Sequence, residues 1–175
     1  MVRFLDLFRP ISPLIPEVRA PQRKVPFQSR MMWTLAALVI YLIMSETPLY
    51  GVQTGAGDPL STLRIIFASN HGTLMELGIG PIVTAGLIIQ LLAGSELIEF
   101  DRSNPEDRGL FTTASKVFSF VMVIVQASLY IISGAFGNVN TTTAILLFAQ
   151  LLAAGLVIMM LDELVQKGWG IGSGI

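Results

Sequence analysis

The sequence predicts an all-α membrane protein with about four transmembrane helices and one short additional helix. Two observations predict this class. Of the 175 residues, 53% are hydrophobic and only 13% are charged, whereas about a quarter of a soluble domain is charged. The hydrophobic residues also form four long blocks, each long enough to cross a hydrocarbon core of about 30 Å at about 1.5 Å per helical residue.

Residues 1–30 are predicted to be a cytosolic segment that precedes the first span. They are rich in basic residues and proline and lack a continuous apolar stretch, so they do not resemble a signal peptide. Phe4, Leu5, Leu7, Phe8 and Ile11 alternate with charges, which favours a short amphipathic helix at the membrane surface. A disordered tail is the alternative.

The predicted elements follow in order along the chain. They are transmembrane helix 1 at 31–50, a short helix at 59–68, transmembrane helix 2 at 73–93, a cytosolic loop at 94–110, transmembrane helix 3 at 111–133, transmembrane helix 4 at 141–161, and a cytosolic link at 162–175. The short helix is apolar, but about ten helical residues cover only about 15 Å, half the core. It therefore needs burial within protein rather than a path through lipid.

The distribution of Lys and Arg predicts the orientation. If the four spans alternate, all of the 11 basic residues except Arg64 lie on one side. Because basic residues are retained on the cytosolic side, the N-terminus is predicted to be cytosolic.

No catalytic, cofactor-binding or metal-binding motif is present in the sequence. There is no cysteine and one histidine, His71, so neither a disulfide nor a paired zinc-ligand spacing exists. The serines do not form a nucleophile elbow. The glycines of "KGWGIGSGI" alternate and do not form a dinucleotide-binding motif. Gly168 is instead predicted to end a helix.

Asn140 begins an Asn-Thr-Thr glycosylation sequon on the predicted non-cytosolic side. It directly precedes the fourth span, where Asn and Thr are common helix caps. We therefore favour capping over glycosylation.

The second and third spans carry the most informative polar and flexible positions. Pro81 interrupts the second span, and Ile79 and Val83 are spaced to share one helix face. Thr84 adds polarity on another face, and Gln126 falls near the middle of the third span, where an amide is costly without a partner. Ordinary helix packing with a kink and an interhelical hydrogen bond remain open as interpretations.

Five ordered sequence blocks resemble the SecY-type family, in particular the alpha subunits of the protein-conducting channel of the eukaryotic endoplasmic reticulum. The blocks are "LDLFRPISPLIPEVRAPQRKVPF", "PLYG", "DPL…LRIIFASNHGTLMELGIGPIVTAGLIIQLLAG", "DRGLF…K" and "LDELVQKGWGIGSGI". The resemblance covers nearly the whole chain. It implies the front part of a ten-helix channel, ending where the family's fifth helix begins. One departure is His71, where the family usually has Arg.

The resemblance implies roles for particular residues. Ile79 and Val83 match the apolar ring at the narrowest point of the pore, and Thr84 and Gln126 match polar positions of the lateral gate. The short helix matches the plug that closes the channel, which the resemblance places at 55–68. Its candidate residues are Asp58, Pro59, Leu60, Leu63, Arg64, Ile65, Ile66 and Phe67. Arg64 is expected to help orient incoming signal sequences.

The resemblance also implies location and partners. The expected site is the endoplasmic reticulum membrane, and no cofactor is expected. The expected partners are the remainder of the alpha subunit, small single-span beta and gamma subunits, the ribosome, signal sequences, nascent polypeptides and membrane lipid.

Two functions from other classes compete with a channel. An intramembrane enzyme would need a Ser/His or paired-Asp arrangement within the spans, and the spans contain none. Half of a secondary transporter would use Pro81 to break a helix at a midplane substrate site. Binding of a small solute would distinguish the transporter from the channel.

Overall fold

The computed structural model describes residue 10 and residues 16–52, 62, 65–66, 68–95 and 105–172, without the side chains of 105 and 106. Within these ranges the chain is helical. The helices are α1 (Phe27–Glu46), α2 (Gly80–Gly94), α3 (Pro105–Ile132) and α4 (Thr141–Leu164), and α4 runs into a wide π-type turn at Val165–Trp169. Of these, α1, α3 and α4 are long and apolar enough to cross a membrane, and α2 is shorter. The all-α membrane class is confirmed.

Prolines set both ends of α1. Pro26 is the N-cap residue, and the helix ends at Glu46, so it is shifted toward the N-terminus relative to the predicted span 31–50. Thr47 is extended because it precedes Pro48, and a residue before proline is disfavoured in helical conformation. The chain then pairs Pro48 with Thr73 in an isolated antiparallel bridge.

Helix α2 begins at Gly80, whereas the sequence predicted a span that starts at Thr73 and is interrupted by Pro81. Pro81 lies in the first turn of the helix, the place where its missing N–H is tolerated. Residues 73–79 form successive turns instead, and Leu74 donates its amide to the Thr47 carbonyl at 3.0 Å. The irregular backbone before α2 is thereby bonded to the residues that follow α1.

Helices α3 and α4 both extend beyond their predicted spans, at the start of α3 and at the end of α4. Asn140 is the N-cap residue of α4 as predicted, but its side chain makes no capping hydrogen bond. Gly168 adopts φ +100°, a left-handed conformation that suits a glycine at a helix end.

The core lies between α3 and α4 and extends to the turns that follow α1 and precede α2. One buried cluster joins Leu49, Leu77, Val123, Ala127, Phe136, Leu147 and Leu151. The two helices approach closely at Gly155, where an added Cβ would lie 2.7 Å from Val123 Cγ1. A second cluster of Met44, Met75, Ala154 and Ile158 brings α1 to the same side of α4.

Most of the predicted short helix and the amphipathic N-terminal stretch lie outside the described residues. Within 55–68 only Thr62, Ile65, Ile66 and Ala68 are described, and the first three are helical. Ile65 is 84% exposed and Ile66 is 66% exposed. The burial expected for this apolar segment is therefore not seen at these two side chains.

Candidate functional site

Ile79 and Val83 lie one helical turn apart, as their spacing predicts. Ile79 directly precedes α2, and its carbonyl accepts the Val83 amide at 3.1 Å. Ile79 borders a groove of about 160 Å³ between α1, α2 and α4, whereas Val83 borders a separate cavity of about 450 Å³. Ile82 borders both spaces. The two candidate ring residues thus share a helix edge but face neighbouring spaces.

The larger cavity lies between α2, α3 and the end of α4. Its α2 wall contains Ile82, Val83, Gly86, Leu87 and Gln90. The facing wall is mostly hydrophilic and contains Met159 together with Thr112, Ser115, Lys116, Ser119, Asp162, Glu163, Gln166 and Lys167. Charged groups in a membrane protein face the bundle interior or water, so this space suits water rather than lipid chains.

Thr84 and Gln126 lie on helices that pack directly against each other, α2 and α3. The Thr84 hydroxyl donates to the Gly80 carbonyl of its own helix at 2.8 Å. Gln126 is half-buried on α3. Within the described residues no hydrogen bond joins the two side chains, so the structure places the predicted gate residues on neighbouring helices without linking them.

The densest polar cluster is one to which the sequence analysis assigned no role. The Glu163 side chain is 7% exposed, and its Oε1 lies 2.6 Å from both Lys116 Nζ and Lys167 Nζ. Lys167 also pairs with Glu17, and Lys116 Nζ lies 3.7 Å from the same Glu17 carboxylate. The spacing of Glu163 and Lys167, four apart at a helix end, was the one signal available in the sequence.

The two carboxylates of this cluster, Glu163 and Glu17, contribute unequally to stability. Breaking a buried pair leaves an uncompensated charge and costs about 3–5 kcal/mol, which applies to Glu163. Glu17 is more than half exposed, and the hydrogen bond from Lys167 lowers the pKa of its carboxyl group below the ordinary value. The pair formed by Glu17 is a surface pair, worth about 1 kcal/mol at most.

A second buried acid holds the turns before α2. Glu76 is fully buried, accepts the Gly72 amide and lies 3.4 Å from His71 Nδ1. The sequence analysis noted His71 as a position at which this chain departs from the family it resembles. In the structure the two residues contact each other, and Glu76 binds the backbone of the loop that leads into α2.

The plug candidates Asp58, Pro59, Leu60, Leu63, Arg64 and Phe67 lie outside the described residues. Just after them, the Tyr41 hydroxyl donates to the Ala68 carbonyl, so this end of the segment contacts α1. Within the described parts of the chain, no group of three or more His, Cys, Asp or Glu side chains is arranged to hold a metal ion.

Two family models match the chain. Residues 39–72 match the "Plug domain of Sec61p" and residues 73–175 match "SecY". The chain is 52% identical over 177 residues to the protein transport protein SEC61 subunit alpha of Debaryomyces hansenii, covering 99% of this chain and 37% of that protein. It is 49% identical over 177 residues to the corresponding subunit of Dictyostelium discoideum, with the same coverage.

Solved structures give the same result. The chain matches "The structure of a protein conducting channel" with a TM-score of 0.84 and 43% identity, covering 95% of this chain and 38% of that one. It matches "Sec61 in the Canine ribosome-channel complex from the endoplasmic reticulum" with the same values. The structure of the idle yeast Ssh1 complex bound to the 80S ribosome matches with a TM-score of 0.77 and 34% identity, covering 99% of this chain and 37% of that one.

These relatives give no support to a secondary transporter. The chain spans about 37% of the length of the curated relatives it matches. Because the SecY model alone matches more than half of the chain, and relatives about half identical match nearly all of it, the chain belongs to the SecY family.

Proposed function

We propose that this chain forms part of the pore-forming subunit of a protein translocation channel in the endoplasmic reticulum membrane. The channel passes secretory polypeptides across the membrane and releases transmembrane segments into lipid, and its role is not enzymatic. The observation that carries the proposal is 52% identity to a SEC61 alpha subunit over 99% of the chain. Since the chain spans 37% of that relative, the remaining walls of the channel would come from the rest of the alpha subunit.

The proposed orientation places the N-terminus and the loop 94–110 in the cytosol. The asymmetry of Lys and Arg supports it. We expect single cysteines at Ser103 and Gly137, introduced into this cysteine-free chain, to be labelled by an impermeant reagent from opposite faces. Labelling of both positions from one face would contradict the orientation.

Within the channel, Ile79 and Val83 are the proposed contribution of this chain to the apolar ring. Their position one turn apart at the start of α2 supports this role. So does the position of Val83 at the edge of a cavity whose opposite wall is polar. An apolar constriction between wet spaces resists ions by dewetting and yields to a translocating chain.

Thr84 and Gln126 are proposed to belong to the lateral gate, and the direct packing of α2 on α3 supports the assignment. Residues 55–68 are proposed to be the plug, with Arg64 helping to orient signal sequences. The match of residues 39–72 to a plug-domain model supports this role.

The proposed partners are small single-span beta and gamma subunits, the ribosome, signal sequences, nascent polypeptides and lipid. Ribosome binding is supported by the ribosome-bound channels among the similar structures.

The decisive experiment uses a chimera in which this chain replaces the matching segment of the Debaryomyces hansenii relative. We expect the chimera to support viability and secretion when the native subunit is depleted.

Replacing Ile79 and Val83 together with glycine should then raise ion leak through resting channels. The matched control replaces Leu35 and Leu42 of α1, which are both exposed and line neither of the two cavities, and should leave the leak unchanged. A chimera that assembles normally but translocates nothing would contradict the proposed function.

A further inference from the structure

A short segment before α1 lies against the far end of α4. We refer to residues 17–21 as the strap. The Trp169 indole donates to the Arg19 carbonyl at 2.8 Å. Lys167 binds the Glu17 carboxylate, and Gly168 lies beside the Pro21 ring. Three successive residues of the π-type turn therefore each contact the strap.

The same turn also contacts α1. Trp33 and Trp169 pack edge to face with their ring centroids 5.4 Å apart. The Ile171 amide donates to the Thr34 hydroxyl at 2.9 Å. The turn is thus held on two sides, and the strap is the more exposed of these contacts.

Glu163 connects this end of α4 to α3. Its Oε1 takes both lysines, Lys116 from α3 and Lys167 from the turn. Its Oε2 is buried and has no hydrogen-bond partner among the residues that the structure describes. Within that part of the chain the two lysines are the cations that pair with Glu163, and both also approach Glu17 of the strap.

We propose that Glu163 is a positioning residue that locks the strap to helix α3, so that release of the strap and loosening of α3 around Lys116 are coupled. The two lysines are shared between one buried and one exposed carboxylate. When the strap leaves, Lys116 and Lys167 lose the outer carboxylate, and when Lys116 moves, the strap loses one of its two cations. The inference goes beyond the proposed function because it concerns the conformation of this chain and holds whether or not the channel translocates.

Coupling of this kind is reciprocal, since a change at either site must shift the other by the same factor. That reciprocity separates the proposal from simple damage to the fold. A substitution in the strap has to act on α3, and a substitution in α3 has to act on the strap.

The first measurement is the rate at which trypsin cleaves after Arg19 in the membrane-embedded full chain. Cleavage needs the strap to detach, because the Arg19 carbonyl is held by Trp169, and the rate then follows the detached population. We expect Lys116→Met and Glu163→Gln to accelerate this cleavage about threefold, as expected for the loss of one surface pair. The matched control is Asp162→Asn, which removes the neighbouring carboxylate that binds Gln166 instead of a lysine, and its cleavage rate should match that of the unmodified chain.

The second measurement is the reverse one. Glu17→Gln alters an exposed side chain whose loss does not threaten folding, and it should raise amide hydrogen exchange in α3 around Lys116 by about threefold, as expected for one surface pair. Exchange in α3 near Gln126 serves as the internal reference and should not change. Unchanged exchange around Lys116 in Glu17→Gln, or equal cleavage rates for Glu163→Gln and Asp162→Asn, would overturn the proposal.

Discussion

Helices α1 and α4 are both apolar and long enough to span a membrane, yet they differ in how much of each is buried against the rest of the chain. In the most apolar 18-residue stretch of α1, only 11% of the residues are buried inside the structure. In the corresponding stretch at α4, 33% are buried. In α1 the buried residues are Ala37 and Met44. In α4 they are Leu147, Leu151, Ala154, Gly155, Ile158, Met159 and Glu163. One helix lies at the edge of the described bundle and the other at its centre.

An apolar helix therefore need not lie at the centre of the bundle. A lipid-facing side chain and a packed side chain are equally apolar, so helix association in a membrane depends on close packing by small residues. Helix α4 has adjacent Ala154 and Gly155 on its buried side. The close approach at Gly155 to Val123 is the local reason that α3 and α4 share a core.

The largest expected effect tests the contrast directly. Leu151 of α4 is fully buried, whereas Leu38 of α1 is 55% exposed. We expect Leu151→Ala to lower the free energy of unfolding by about 2–5 kcal/mol, because it leaves a cavity in the core. Leu38→Ala should change it by less than about 0.5 kcal/mol. Titration with SDS from mild detergent measures both, and equal losses would break the comparison between α1 and α4.

A smaller effect is expected at the α3–α4 crossing. Gly155→Ala places a methyl group 2.7 Å from Val123 Cγ1, and overpacking of this kind costs about 1–3 kcal/mol. Gly86→Ala in α2 is the control, since nothing lies within 4 Å of its added Cβ. It should be neutral or slightly stabilising by helix propensity. Thermal unfolding of the two variants should separate them, and a stable Gly155→Ala chain would mean that Val123 moves aside freely.

Gln150 tests how α4 holds the chain that leaves α1. Its Oε1 accepts the Tyr50 amide at 3.0 Å, and its Nε2 donates to the Leu146 carbonyl at 3.2 Å. Gln150→Leu should cost about 0.6 kcal/mol, the usual size of such a bond in a membrane protein. Amide exchange at Tyr50 should rise accordingly. Gln90→Leu, an exposed amide on α2, is the control and should leave exchange at Tyr50 unchanged.

The smallest expected effect is a pH dependence at the edge of the structure. The pKa of Glu17 is lowered in the folded chain, chiefly by the hydrogen bond from Lys167. The contribution of Glu17 to the free energy of unfolding is therefore fully present above the ordinary carboxyl pKa of 4.5. It is lost as the pH falls through the lower pKa of the folded chain. Because Glu17 is exposed, the loss should be a few tenths of a kcal/mol.

This loss should be detected by tryptic cleavage of the strap measured between pH 7 and pH 3. The rates are corrected for the pH profile of the protease on an unstructured peptide. Glu17→Gln should abolish the corrected pH dependence. If the Glu17→Gln chain kept the pH profile of the unmodified chain, the pH dependence would come from another carboxyl group.

The sequence by itself determined the class, the family resemblance and the number of apolar blocks, because hydrophobic length and motif order are properties of the chain alone. It also predicted that Ile79 and Val83 lie one helical turn apart, which depends only on helical periodicity. The start of α2 was misplaced even though Pro81 was recognised. Whether such a residue kinks a helix or begins one depends on where the preceding backbone finds partners, and Leu74 finds its partner at Thr47, across the chain.

Only the tertiary structure decided which helix is central and which charges meet. Lys116 and Glu163 are distant in sequence, and nothing in their local patterns requires them to lie 2.6 Å apart. Their pairing follows from the antiparallel packing of α3 on α4, whereas Glu17 meets Lys167 because the segment before α1 lies against the end of α4. Periodicity assigns a residue to a face, but contacts between elements arise from how the faces pack, and a single sequence does not contain that arrangement in any local pattern.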